Sequence, residues 1–276
     1  MNGEEGGAWG SALTADEFAA VRSAGFEAVG QVFGAAVYAA DSAIRSSCQG
    51  TGRSASEPFA PLVRAMYQAR QAAIDRMVAE CVQLGGHGVV GVRLAKGRIF
   101  SLGGPQFTAI GTAVRVPGVA PGTPPGRRAP FTADVSGQDF AKLITAGWVP
   151  AGIAQGISIG SRHDDWATTR QARWSFGNAE VAGWTELVNQ CRRDARRQLE
   201  NGVTRLGAEG VVLTTMQMQV RERDCPATVG CRDHIVEATL TGTAIAGFSR
   251  TWRRRPGPPL VVMSLSDPDR LDRLHV

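Results

Sequence analysis

The chain has 276 residues, 43% hydrophobic and 20% charged, the balance of a globular protein with room for two ordinary domains. No apolar run reaches the ~20 residues a membrane helix needs, and the N-terminus Met-Asn-Gly-Glu-Glu-Gly-Gly has neither a basic nor an apolar leader region, so a cytoplasmic location is expected. Five cysteines, Cys48, Cys81, Cys191, Cys225 and Cys231, form no regular framework, which argues against a disulfide-stapled secreted scaffold, and the net charge of +5 permits an acidic partner without demanding one.

Residues 1–12 are Gly-rich and are expected to be disordered, with Trp9 as a local anchor. Thr14 and Glu17 have capping-box spacing and start a short helix that Gly25 stops. The apolar, Gly-spotted run over 26–39 reads as a strand. In the next segment Phe59, Leu62, Val63, Met66, Ala69, Ala73, Met77, Val78, Cys81 and Leu84 step mostly by three and four. That is one continuous apolar stripe, and a helix carrying it must lie on something, most simply a sheet. Leu84-Gly85-Gly86-His87-Gly88 closes the helix, and the β-branched residues from Val89 open a strand. Strands are predicted over 89–100 and 107–116.

Residues 117–131, rich in Pro and Gly with Arg127-Arg128, read as a linker. The same order then returns. Ser136 and Asp139 repeat the helix start, Gly147 the stop, and residues 148–160 the apolar strand. Trp184, Leu187, Val188, Cys191, Ala195, Leu199, Val203 and Leu206 repeat the stripe. Leu206-Gly207-Ala208-Glu209-Gly210-Val211-Val212 repeats the junction 122 residues on. The last pair of strands, 211–221 and 235–248, carries a connection nine residues longer than in the first half. Along the final strand Val236, Ala238, Leu240 and Ala244 share one face, and Glu237, Thr239, Thr241 and Thr243 the other. The half-polar face is expected to meet a central cavity or another repeat. The division is therefore an N-terminal segment (1–12), a first repeat (13–116), the linker, a second repeat (132–248) and an Arg/Pro-rich tail (249–276).

This order of landmarks resembles the YbjQ-like family, which carries a heavy-metal-binding label. The residues that carry the resemblance are Gly34 in the first strand, the helix from Phe59 to Leu84-Gly85, Val89-Val90-Gly91-Val92 and Gly111-Thr112-Ala113-Val114. In the second half they are Gly152, Gly156, Leu206-Gly207-Ala208-Glu209-Gly210-Val211-Val212 and Gly242-Thr243-Ala244-Ile245. The resemblance implies an α+β fold of tandem dodecin-like βαββ units, each a small sheet covered by one long helix. It also implies a homo-oligomeric ring, pentameric in single-domain members, and no established reaction. Duplication leaves two arrangements open: five chains contributing ten repeats, or two halves paired within one chain.

The strongest metal-ligand candidates are Cys225, Cys231 and His234 in the extended second hairpin, where two thiolates and an imidazole suit a soft or borderline divalent ion such as zinc. Two loop thiols or a disulfide are the alternatives. His163, Asp164 and Asp165 follow the first strand of the second half and offer an imidazole and two carboxylates for a cation or for acid–base work, the alternative being a polar turn with a helix cap. Trp166, Arg170, Arg173 and Trp174 interleave aromatic rings with guanidinium groups, a pattern that can hold an anionic ligand and that more often packs a connection. There is no Walker loop, dinucleotide-binding glycine fingerprint, nucleophile elbow or nucleic-acid signature, so neither an enzyme nor a nucleic-acid binder is expected. The expectation is an oligomeric binding protein for a metal ion or small ligand. The rival is an adaptor that presents the tail 249–276 to a protein partner.

Overall fold

The computed structural model describes residues 10–38, 54–55, 59–98, 105–120, 129–174, 178–225 and 232–248. The first half opens on α1 (Ala15–Ser23), where the Thr14 hydroxyl accepts from Glu17 N and the Glu17 carboxylate accepts from Thr14 N, the reciprocal cap that the spacing predicts. β1 (Glu27–Val37) follows, then the two-residue β2 (Ser54–Ala55) and the long helix α2 (Ala60–Gln83). Phe59 is its N-cap, and Leu84, the last member of the expected stripe, is the C-cap and stands 43% exposed. β3 (Gly88–Arg98) and β4 (Pro105–Arg115) complete a sheet in which β4 lies antiparallel between β1 and β3.

The second half repeats this with β5 (Phe131–Thr132), α3 (Gly137–Thr145), β6 (Trp148–His163), α5 (Ala182–Arg205), β7 (Gly210–Asp224) and β8 (Arg232–Gly247). Between β6 and α5 lies a further helix, α4 (Trp166–Trp174), where the sequence suggests a polar turn with a helix cap and a packed connection. Strand β6 runs three residues past the Gly160 boundary, to His163. The two sheets, β1-β4-β3-β5 and β2-β6-β8-β7, each gain a two-residue edge strand from a connecting segment. β2 pairs antiparallel with β6 at Arg162 and Ser161, and β5 pairs parallel with β3 at Gly88 and Val89. Phe131, the last residue of the Pro-rich linker, is thus already in a strand, its ring over Gly88, where a Cβ would come within 2.3 Å of it.

Each long helix rests directly on glycine. A Cβ at Gly34 would lie 2.0 Å from the Ala73 carbonyl oxygen, and one at Gly156, the matching position, 1.8 Å from that of Ala195. The helices bury one face in consequence: Met66, Ala69, Ala73, Met77 and Cys81 in α2, and Leu187, Cys191, Ala195 and Leu199 in α5.

The halves meet through β6. Its residues alternate, so Ala154 and Gly156 face α5 while Ile153, Ile157 and Ile159 join the core beneath α2. Its outer backbone groups are taken up by the first half and the linker end. Ile153 N donates to the Thr132 hydroxyl at 3.2 Å, Arg70 Nη2 donates to Ile153 O at 2.6 Å, and Ile157 N donates to the Tyr67 hydroxyl at 2.8 Å. The half-polar face of β8 turns the same way, against the other half of the same chain. On the far side of the first sheet α1 and α3 cover Phe26, Phe131 and Phe140, whose ring centroids lie 5.0–6.1 Å apart. No helix among the described residues is long and apolar enough to cross a membrane.

Filling the helix–strand contact should be costly, because the obstacle is backbone and cannot rotate away. Gly156→Ala is expected to lower stability by about 3 kcal/mol, the upper end of overpacking costs, measured by urea denaturation. Gly202→Ala, inside α5, whose Cβ meets only ordinary contacts at 3.6 Å or more, serves as the control and is expected not to destabilise.

Candidate metal centre

The extended hairpin of the second half carries β7 and β8 beyond the end of α5, where β6 also ends. In this register His163 faces Asp233, Arg162 faces His234, and Asp233 faces Arg223 across the other side. The two-residue period of a strand then sorts these groups onto opposite faces.

On one face His163 Nδ1 is 2.9 Å from Asp233 Oδ1, and Arg223 Nε donates to Asp233 Oδ2 at 3.2 Å. Cys225, at the end of β7, closes the group: the donor atoms of His163, Cys225 and Asp233 all lie within 4.8 Å of one another, and all three residues are buried. Desolvation opposes a charged His163 ring, but the Asp233 hydrogen bond and the neighbouring Cys225 sulfur outweigh it and raise the pKa above its ordinary value. Cys81 and Cys191 contrast with this. Burial under the two helices pushes their thiols up to about 12 and about 11, which fits inert core residues.

On the other face His234 Nδ1 and Trp184 Nε1 both bond Asp164 Oδ1 at 3.0 Å, and the Trp184 ring packs on the imidazole at a centroid distance of 4.2 Å. Glu222 Oε1 comes within 3.1 Å of His234 Nε2 but out of line for a hydrogen bond, leaving that buried nitrogen unsatisfied. Arg162 reaches Glu186 at 3.0 Å and Asp165 at 3.5 Å. Asp165 caps α4, its carboxylate accepting from Thr168 N at 2.7 Å, and that bond lowers its pKa.

The hairpin therefore turns Cys225 toward His163, and it turns His234 away from Cys225, toward Asp164. Cys231 lies outside the described residues. Of the aromatic–arginine group, Trp166 is 71% exposed with the Arg170 guanidinium 5.2 Å from its ring centroid. Arg173 and Trp174 close α4, and their side chains lie outside the described part. Sequence reading missed Asp233 as a partner of His163. Adjacent Asp233 and His234 look like one cluster in the chain, and only the strand register shows that they part. It also missed the polar seam between the halves. There Asp134 accepts from the Thr214 and Thr243 hydroxyls, and burial raises its pKa. Buried Arg70 is lowered to about 10 by desolvation. Asp134 lines a cleft of about 630 Å³ with Lys96, Gln155 and Thr241, and Arg70 lines a second of about 470 Å³ that Gln155 also borders.

A sulfur, an imidazole nitrogen and a carboxylate oxygen converging in a buried pocket form a donor set that fits a borderline divalent ion such as zinc. Arg223 on the second carboxylate oxygen supplies the outer contact that orients such a ligand. In the metal-free protein the raised His163 pKa means that the pair stabilises the fold fully below pH ~6.5, the unfolded value, and that this contribution fades as pH rises through the folded value. A titration of the His163 ring by NMR should give a midpoint above 6.5, and Asp233→Asn should bring it down.

The sequence profile of the YbjQ family, described as "Putative heavy-metal-binding", matches residues 19–117, in the first half of the chain. The chain is also similar to "Encapsulin nanocompartment protein Rv1762c" of Mycobacterium tuberculosis, at 34% identity over 208 residues that cover 73% of this chain and 75% of that protein. Residues 19–117 therefore carry a YbjQ-like domain, and the chain belongs to the same family as this mycobacterial encapsulin nanocompartment protein.

Proposed function

We propose that this protein is a non-enzymatic, self-assembling binding protein of two YbjQ-like units, acting in the cytoplasm, and that its second unit holds a borderline divalent cation at His163, Cys225 and Asp233. The observation that carries the metal reading is the convergence of three chemically different donors at one buried point. A structural ion pair would need only the histidine and the aspartate, whereas the cysteine adds the soft ligand that selects zinc-like metals over calcium or magnesium. The heavy-metal-binding description of the family points the same way, and the nanocompartment name of the relative supports assembly.

Chelator-treated full-length protein, dialysed against zinc or cadmium, is expected to take up about one ion per chain at this site, counted by elemental mass spectrometry. Cys225→Ser should weaken uptake by on the order of 100-fold, the upper end of what loss of a ligand's supporting contact costs, with the circular dichroism spectrum unchanged. Uptake equal to wild type in both Cys225→Ser and His163→Ala would place any metal elsewhere.

A second reading is favoured by the relative's name. Residues 249–276 lie outside the described residues, and the apolar run over 260–265 follows an Arg-Arg-Arg-Pro segment, a sequence fit for docking on a partner chain by strand addition. Deleting 249–276 is expected to abolish co-purification with a shell protein from the native host while leaving bound metal unchanged. Co-purification that survives the deletion would remove the tail from this role.

A further inference from the structure

The joint between the two halves is built from parts that recur, unjoined, at the two ends of the chain. Within the chain, residues 131–133 run along the outer edge of β3. Phe131 N donates to His87 O at 3.2 Å, Ala133 N to Val89 O at 2.9 Å, and Val92 N to Ala133 O at 2.9 Å. The segment is also fixed to its own half, where Asp134 N donates to the Thr243 hydroxyl at 2.9 Å. The first half holds its own lead-in the same way: Ala12 N donates to the Thr112 hydroxyl at 2.9 Å. Ala12 stands 122 residues before Asp134, and both threonines belong to the Gly-Thr-Ala motif. Residues 10–13 therefore sit on their half as 132–135 sit on theirs.

The two positions differ in what lies beyond them. Under the joint His87 is 1% exposed and Val89 and Val90 are 0% exposed, and Thr132 and Ala133 are buried. At the matching edge of β7, Glu209 is exposed, Val211 and Val212 are half-buried, and Leu213 is 48% exposed. Gly10 is exposed, and Ser11 to Leu13 are only half-buried. The groups matching those that bond residues 131–133 are Glu209 O, Val211 O and Thr214 N. Among the described residues no backbone hydrogen bond reaches them from outside their own sheet. The exposed edge continues past them through Met216 and Val220.

We propose that the β7 edge of one copy, over 209–214, takes Gly10 and Ser11 of a second copy, the counterparts of Thr132 and Ala133, as a parallel edge strand, repeating between chains the joint made by β5 and β3 within one. The two surfaces are different, so the contact is head-to-tail and propagates from chain to chain until it closes. Its occupant is a second copy because the lead-in of the same chain is already held on Thr112, with Gly10 beside Gln31, on the first half. An open edge with apolar side chains is the surface that strand addition covers. Counting 122 residues back from Phe131 reaches Trp9, a second aromatic, which lies outside the described residues. This inference rests on the proposed self-assembly and names the surface that makes it.

Gly210 provides the test. A Cβ there meets only the Ile245 side chain at 3.6 Å, so a single chain accommodates it, whereas at the matching Gly88 a Cβ would strike the Phe131 ring at 2.3 Å. Native mass spectrometry of full-length Gly210→Val is expected to show single chains with a wild-type circular dichroism spectrum. In the protein that keeps Gly210, Gly10→Cys with Val211→Cys should give, on mild oxidation, a ladder of disulfide-linked chains that neither single variant gives. A Gly210→Val protein that keeps the wild-type assembly mass, or a cross-link confined within one chain, would overturn the joint and leave self-assembly standing. A wild-type protein that is a single chain would overturn both.

Discussion

The outer edge of β6 is the constraint on which the arrangement of the whole chain depends. A strand in the middle of the molecule with unpaired N–H and C=O groups would cost several kcal/mol for each group left without a partner. β6 meets that demand with side chains instead of a third full strand. Thr132, Arg70 and Tyr67 bond Ile153 and Ile157 directly. Arg70 and Tyr67 come from α2 in the first half, and Thr132 comes from β5, which pairs with β3 of the first half. Satisfying the edge therefore brings the first half against the second, and Ile153, Ile157 and Ile159 are buried among the residues beneath α2 as a result.

That way of joining has a chemical consequence. A seam closed by side-chain hydrogen bonds is polar, and the half-polar face of β8 lies along it, so the space between the halves is a cleft lined by Gln155, Thr241 and Asp134 rather than a dry core. Asp134 with its two hydroxyl partners and Arg70 on the Ile153 carbonyl are buried polar groups held in place by fixed partners. Such groups favour one relative placement of the halves over others that would strand them. The same logic explains the contrast between β3 and β7. One edge is covered because a connecting segment reaches it, and among the described residues none reaches the other.

The hairpin centre belongs to the second half alone, through its nine extra residues. Lengthening β7 and β8 past the helix creates two small clusters, one on each face of the same strands. His163 with Asp233 and Cys225 lies on one face, and His234 with Asp164 and Trp184 lies on the other. The fold is thus a repeated scaffold that carries two buried polar clusters at one end of one copy.

The amino-acid sequence by itself determined the local elements and their repetition. The apolar stripe from Phe59 to Leu84, the Thr14 and Ser136 helix starts, and the glycine-containing junctions before Val89 and Val211 are short-range signals set by the periods of helix and strand and by glycine's freedom, as at Gly85 with φ +72° and Gly207 with φ +65°. Gly34 and Gly156 stand out in the sequence as matching landmarks of the two strands, and the helix backbone that rests on them is seen in the structure alone. Only the tertiary structure decided which residues meet. Asp233 rather than His234 joins His163 because the antiparallel register sets faces two residues at a time, and a one-residue difference moves a side chain through the sheet. Phe131 left the linker for a strand because Gly88, distant in sequence, makes room for its ring. Arg70, in the middle of an amphipathic helix, became a buried donor because the carbonyl it serves comes from the other half. Contacts of that kind depend on how two folded units fit, and local periodicity carries no record of them.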